Sequence, residues 1–540
     1  LANQQLKHQP NINSKTQTTM RDWIHKWAGY LPHKTVINEV ETGRSVTYSE
    51  LDRIGGHVAS WLHSKGIAKG DRVAILAENS LEHFMLFAAA LKSGIIMVPL
   101  NFRLAPRELD FMLNDCTPAM LLTEAKYEAA AHQTTAYAQI PHKCSLTELT
   151  VMYDQRGVGD SVPAVSQAFL QAFPQAVLGD ADPVFIIYTA GTTGFPKGAL
   201  YTHGMMFWNA LNTALRLNLT EHDHTAVFLP LFHTGGLNVF ATPFIYFGAS
   251  FALMKGFNAD AILEACERQK MTVMMGVPTT LKMIASSPKF HTADLSSVRY
   301  AIVGGEPMPV PLIEQWHSRG IAIRQGFGMT EVGPNLFSLH QSDATRKIGS
   351  IGLPNFYVET RVVSDEQSEQ GEEREAAPEA DGSRSGELLL RGPMATPGYW
   401  NNPKASADAW HGGWFHTGDV VRVDSEGYFF VIDRKKHMYI SGGENVYPAE
   451  VEKFIVQHPK IAEAAIVGVP DAKWGEVGVA FVVPKADESL REEDVLTYCT
   501  GNLAKYKIPK YVRIIQELPK SDAGKINRRA LQASFEATLA

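Results

Sequence analysis

The stretch Tyr188-Thr189-Ala190-Gly191-Thr192-Thr193-Gly194-Phe195-Pro196-Lys197-Gly198 follows directly on the apolar run 184–187. A short buried strand that opens into small and hydroxyl residues offers an anion its backbone N–H groups, the Thr189, Thr192 and Thr193 hydroxyls and the Lys197 ammonium. The chemistry that suits such a loop is the cradling of a polyphosphate. It is not a P-loop, because the four-residue gap followed by Gly-Lys-Ser/Thr is missing. Alone, a glycine-rich turn is as readily an ordinary surface turn.

Three later blocks add to it. Gly326-Phe327-Gly328-Met329-Thr330-Glu331 supplies an aromatic face for a purine, a hydroxyl for a phosphate oxygen and a carboxylate for Mg²⁺, a cation that prefers oxygen ligands. His416-Thr417-Gly418-Asp419 is followed by Arg434; a carboxylate accepts both hydrogen bonds of a ribose diol, and a guanidinium donates to sugar or phosphate. Pro519-Lys520-Ser521-Asp522-Ala523-Gly524-Lys525 is a flexible turn ending in one lysine.

These residues must be held by a large scaffold, since 540 residues exceed what one compact core accommodates. Strand-like runs alternate with helix-like ones (72–77, 81–91, 95–100, 106–113, 120–123), and the rhythm returns at 226–229, 259–268, 273–277 and 299–303. Alternation predicts an α/β fold with mostly parallel sheets covered by helices. Beyond Lys436 the texture changes: helix 448–457, strands 464–469 and 477–483, helix 490–503 and strand 511–515 predict a small α+β domain. The expected division is therefore 1–435 and 436–540. The formal charge of −7 sits in 364–381, with eight acids against one base, so the rest of the chain is balanced. The segment 364–385 reads as an acidic loop, and no basic cluster suits a nucleic acid. Four scattered cysteines, Cys116, Cys144, Cys266 and Cys499, form no disulfide or metal pattern, and a cytoplasmic setting follows. The apolar region 84–102 is broken by Lys92-Ser93-Gly94, too short for a membrane span. Residues 1–24 read as a disordered polar start that fits neither a signal nor a transit peptide.

In this order and at these distances, the four blocks resemble those of the acyl-adenylate-forming enzymes, which include acyl-CoA synthetases, peptide-synthetase adenylation domains and beetle luciferases. The resemblance runs from about residue 25 to residue 535. Supporting pieces are Val303-Gly304-Gly305-Glu306-Pro307-Met308-Pro309, Gly398-Tyr399-Trp400-Asn401-Asn402 and Ser441-Gly442-Gly443-Glu444-Asn445-Val446-Tyr447-Pro448.

The resemblance implies a large N-terminal domain and a mobile C-terminal lid. It implies that a carboxylic acid attacks the α-phosphate of ATP, pyrophosphate leaves, and a thiol, coenzyme A, then takes the acyl group. Thr189, Gly191, Thr192, Thr193, Gly194 and Lys197 would hold the pyrophosphate; Gly305, Glu306, Pro307, Phe327 and Gly328 the adenine; Asp419 and Arg434 the ribose. Thr330 would touch the α-phosphate, Glu331 would bind Mg²⁺ and Lys525 would bridge carboxylate and phosphate. Lys436 would be the hinge that exchanges Lys525 for Gly442 and Gly443, with Trp474 toward CoA. Ile508 stands where some relatives carry an arginine.

In the acyl-pocket position, Pro230-Leu231-Phe232-His233-Thr234-Gly235-Gly236-Leu237 carries His233 where amino-acid-activating relatives carry Asp. A buried substrate ammonium would lack its partner. His233, Thr234, Gly235, Gly304 and Met329 are therefore expected to line a pocket for a fatty or aromatic acid. Two other readings stay open: an enzyme that loads a separate carrier protein, and a sensor that binds an acyl nucleotide without turnover.

Overall fold

The computed structural model describes residues 21–154, 176–189, 196–305, 308–367, 373–434, 437–441, 444–471, 474–486, 488–500, 502–503, 505–520 and 526–539. The chain falls into two compact units, Leu1–Glu359 with Leu390–Phe415, and Thr360–Leu389 with His416–Ala540. The hairpin Trp414–Val423/Phe429–Arg434 thus groups largely with the C-terminal segment. Lys436, the expected boundary and hinge, lies outside the described residues.

Three sheets organise the first unit. The largest has the order His142–Ser145, Met120–Thr123, Arg72–Leu76, Ile96–Pro99, Pro183–Thr189, Lys197–Thr202; only the last strand is antiparallel to its neighbour. Its central strands are apolar on both faces, as parallel strands covered by helices must be. Val73, Ile75 and Met97 face one core, whereas Ala74, Leu76 and Val98 face another. Leu81–Ser93 is buried along its whole length and crosses helix Tyr48–Ser64 where Gly55 approaches Ala88; a Cβ on Gly55 would stand 2.6 Å from that of Ala88. The run 84–102 is thus helix, then strand, as its Lys92-Ser93-Gly94 break predicts. No helix among the described residues is long and apolar enough to cross a membrane.

The second sheet pairs Ser45–Thr47, Thr35–Glu39, Ser250–Leu253 and His224–Val227. The third runs Val273–Gly276, Tyr300–Val303 and Ala322–Phe327 in parallel, then turns antiparallel through Phe337–Ser338 and Leu353–Pro354.

In the second unit, strands Ile461–Asp471 and Gly475–Pro484 form a long antiparallel pair, with Tyr511–Ile514 parallel to the latter. Strand alternation sorts their side chains: Ile466, Ala480 and Val482 pack under helices Pro448–Ile455 and Glu492–Cys499, while Val467, Val479 and Phe481 pack under helix Arg528–Leu539. The sequence pattern had all three strands and, at wider limits, the helices at 448 and 492, but not the helix Arg528–Leu539.

Two expectations are corrected. The segment 364–385 is not a loop throughout: Glu359–Gln367 continues as strand, Glu373–Glu375 pairs back onto it, and strand resumes at Arg384. The adjacent Val362 and Val363 are both buried and anchor the strand that runs into this acidic stretch. Residues 23 and 24, expected within the disordered start, are ordered, because helix Trp23–Tyr30 buries Trp23 and Ile24; residues 1–20 lie outside the described residues. Asp22 caps it, accepting from the His25 N–H at 3.0 Å. The buried Lys92 ammonium donates to both Asp22 and Asp52, and His25 Nδ1 lies 3.1 Å from Asp52 Oδ2.

The Asp52 hydrogen bond, opposed by partial burial, raises the pKa of His25 above 6.5. Folding therefore strengthens proton binding, so this contribution is fully present below pH 6.5 and fades as pH rises through the folded value. In melting curves from about pH 8 down to about pH 5.5, the parent should gain stability over His25→Gln by at most about 1 kcal/mol; equal curves would remove the imidazole from the docking of this helix.

Candidate active site

The chemistry-bearing residues of the first unit stand at the carboxyl ends of parallel strands, where open α/β sheets leave their crevices. Thr189 ends Pro183–Thr189, Gly304 and Gly305 follow Tyr300–Val303, Phe327 ends Ala322–Phe327 and leads to Glu331, and the 228–236 segment follows His224–Val227.

Thr189 and Lys197 are register partners across an antiparallel pair, so the two strand ends stand side by side. Thr189 Oγ1 lies 3.4 Å from both the Lys197 carbonyl oxygen and Glu331 Oε1. The Tyr399 hydroxyl donates to the same Glu331 oxygen at 3.1 Å, and Lys197 Nζ stands 5.2 Å from the Tyr399 ring centroid. Residues 142 positions apart in sequence are thereby within hydrogen-bond reach. Thr330 and Glu331 are 5% and 8% exposed, on a short 3₁₀ turn tied down where Thr396 N–H donates to the Glu331 carbonyl at 2.7 Å.

Close approach or positive φ calls for glycine at these strand ends. A Cβ on Gly328 would stand 2.0 Å from the Pro334 carbonyl oxygen, and Gly305 holds φ at +87°. Gly304 lies beside the Gly326 carbonyl, 3.5 Å from where its Cβ would be. The Phe327 ring meets Phe337 edge-on at 5.8 Å and stays partly exposed. Of the remaining nucleotide candidates, Gly191, Thr192, Thr193, Gly194, Glu306 and Pro307 lie outside the described residues. So do Gly442, Gly443 and Lys525.

An apolar crevice of about 10 Å³, room for roughly one water, is lined by Gly235, Gly236, Phe228, Leu229, Phe240 and Met275 among others. Of the five expected acyl-pocket residues only Gly235 borders it. His233 is exposed and its Nδ1 accepts from the Gly235 N–H at 3.1 Å, capping a short turn, while Thr234 is buried. Gly304 and Met329 belong to the neighbouring strand ends. Asn79 was not singled out from sequence, yet its amide donates to the Leu229 and Met254 carbonyls and accepts from the Leu231 N–H, fixing the start of this segment.

In the second unit, Asp419 and Arg434 are register partners, with Arg434 Nε 2.5 Å from Asp419 Oδ1. Asp419 is buried. The backbone ahead of it is pinned by Thr417, whose hydroxyl donates to the Leu388 carbonyl at 2.7 Å and accepts from the Asp419 N–H. Trp474 is 45% exposed, outside the core.

Residues 24–400 match the model of the AMP-binding enzymes, and 450–525 match the AMP-binding enzyme C-terminal domain. The chain belongs to the AMP-binding enzyme family. Among relatives, an indoleacetate–CoA ligase from Aromatoleum aromaticum is 38% identical over 94% of this chain and 96% of its own. A feruloyl-CoA synthase from an Amycolatopsis species is 36% identical over 95% and 98%. The o-succinylbenzoate–CoA synthetase of Bacillus subtilis, solved in complex with ATP and magnesium ion, superimposes with a TM-score of 0.80 at 29% identity, covering 94% of this chain and 99% of its own.

Gly328→Ala in this AMP-binding enzyme should cost about 1–3 kcal/mol through displacement of the Pro334 backbone and should weaken ATP binding, because Thr330 and Glu331 hang from the same turn. Thermal shift with and without ATP checks both; an unchanged ATP-induced shift would detach the turn from the nucleotide.

Proposed function

We propose that this AMP-binding enzyme activates an aromatic carboxylic acid with ATP and transfers the acyl group to coenzyme A. The activity class is that of AMP-forming acid–thiol ligases. A substrate carboxylate oxygen forms a bond to the α-phosphorus while the bond to pyrophosphate breaks; the CoA thiol then attacks the acyl carbon, loses its proton, and AMP leaves. No protein nucleophile is required, so catalysis consists of cancelling charge and aligning reactants.

The observation that carries this reading is the meeting of the Thr189 hydroxyl, the Lys197 strand end and the Glu331 carboxylate at adjoining strand termini. Thr189 and Lys197 suit the departing pyrophosphate. The site also fits Mg²⁺: Glu331 is a buried carboxylate whose neighbours are hydroxyls, and among the described residues it forms no ion pair with a base. Mg²⁺ is commonly bound through one or two carboxylates together with substrate phosphates, and when bound it neutralises phosphate charge. Phe327 and the Gly304-Gly305 turn suit adenine, and Asp419 with Arg434 suits ribose. For the roles of Lys525, Lys436, Gly442 and Gly443 the family resemblance alone is the support.

An aromatic acid is favoured by the aromatic acids named in two relatives. The free thiols of all four cysteines support a reducing, cytoplasmic setting.

A pyrophosphate-release screen over arylacetates, hydroxycinnamates and straight-chain acids tests the reading. Aromatic acids should exceed straight-chain acids by at least about tenfold in kcat/KM, the size of a pocket-fit preference, with AMP and thioester appearing in equal amounts when CoA is added. Preference for straight chains would overturn the substrate class, and AMP without thioester would overturn the acceptor. Lys525→Ala should lower adenylation about 10²- to 10³-fold, as loss of one charge-stabilising donor does.

A further inference from the structure

Tyr399 stands between two groups of opposite charge. Its hydroxyl donates to Glu331 Oε1 at 3.1 Å, and its ring centroid lies 5.2 Å from the Lys197 ammonium, within cation–π reach. The placement is set by backbone. Ala199 and Tyr399 form an antiparallel bridge, the Trp400 N–H donates to the Gly198 carbonyl at 2.7 Å, and the Leu200 N–H donates to the Gly398 carbonyl at 3.1 Å. Residues 396–402 thus add to the free side of strand Lys197–Thr202. Lys197 and Ala199 share a face of that strand, so Tyr399, opposite Ala199, is the diagonal neighbour of Lys197. The Thr396 hydroxyl donates to the Leu200 or Gly398 carbonyl, and the Trp400 indole donates to the Asp115 carbonyl at 3.1 Å, locking the segment.

A lysine and a buried glutamate this near the same tyrosine have an alternative: pairing with each other. Among the described residues Lys197 and Glu331 form no such ion pair, and each instead has a partner of Tyr399. An aromatic face and a neutral hydroxyl hold the two charges without cancelling them.

We propose that Tyr399 is a positioning residue of the adenylation step, its hydroxyl orienting Glu331 for a divalent cation and its ring face keeping Lys197 available for a phosphate anion. The inference rests on the functional reading above. The two arms separate by substitution: Tyr399→Phe deletes the hydroxyl and keeps the ring, whereas Tyr399→Leu deletes both.

Two binding measurements read the arms without turnover. Mn²⁺ uptake in the presence of ATP, followed by the electron paramagnetic resonance of free Mn²⁺, reports on Glu331. ATP binding in EDTA, followed by calorimetry, reports on Lys197. Tyr399→Phe should weaken Mn²⁺ uptake about tenfold, as for a lost hydrogen bond to a charged group, and leave metal-free ATP binding unchanged. Tyr399→Leu should show the same Mn²⁺ loss and in addition weaken metal-free ATP binding about three- to fivefold, the size of an accessible cation–π contact. Parental Mn²⁺ uptake by a folded Tyr399→Phe overturns the proposal, and so does metal-free ATP binding equally weak in both variants. Should Tyr399→Leu fail to fold, the Tyr399→Phe result decides alone. Glu331→Gln serves as the control: if it too binds Mn²⁺ like the parent, the assignment of Glu331 to the cation falls with the proposal, whereas a loss confined to Glu331→Gln overturns only the role of Tyr399.

Discussion

The antiparallel return of Lys197–Thr202 onto Pro183–Thr189 is the constraint on which the site of the first unit depends. All other neighbours in that six-stranded sheet are parallel, and a parallel partner would have required a long crossover carrying Lys197 to the far end of the sheet. The reversal instead returns the chain beside Thr189, so hydroxyl and ammonium occupy one end of the sheet. It also leaves an outer side on which residues 396–402 can pair, and through them Tyr399 and Thr396 reach Glu331.

Close approach of backbone to backbone is the second constraint. Gly328 against Pro334, and Gly236 against the Leu229 and Pro230 carbonyls with a Cβ distance of 2.4 Å, leave no room for a side chain. Such contacts hold the strand ends near one another, and they explain why glycines cluster in the motifs as much as any affinity of N–H groups for anions. Buried amides then fix the wall: Asn209 donates to the Asn238 carbonyl at 2.8 Å, and Asn335 donates to the Val239 carbonyl at 3.0 Å, across the π-helical stretch Leu237–Ala241 that carries Phe240. A π-turn widens a helix locally and recurs at functional positions.

Much of this was legible beforehand. The β/α alternation of the first unit, the helix-then-strand reading of 84–102 and the helices and strands between 448 and 515 rest on periodicity, and periodicity reports which face of an element is buried. Thr189, Lys197, Glu331, Asp419 and Arg434 stood out as candidates because their types and order match a family pattern. Tyr399 entered only as part of a supporting motif and Asn79 not at all: a tyrosine and an asparagine each have many uses, and their partners lie 68 and 150 or more positions away. The ordered strands within 364–385 escaped because acidic composition outweighed the strand that enters the segment through the buried Val362 and Val363.

The sequence by itself determined the family, the class of chemistry and the kinds of group that are candidates to perform it, since these follow from residue identity in local order. Tertiary structure alone decided which of those groups meet. Strand order and register bring Thr189 to Glu331, stand Tyr399 between Lys197 and Glu331, and reduce the slot beside Gly235 to the space of a single water. Such distances depend on pairings between segments distant in sequence, 68 positions for Tyr399 and Glu331 and 142 for Thr189 and Glu331, and local pattern carries no record of them.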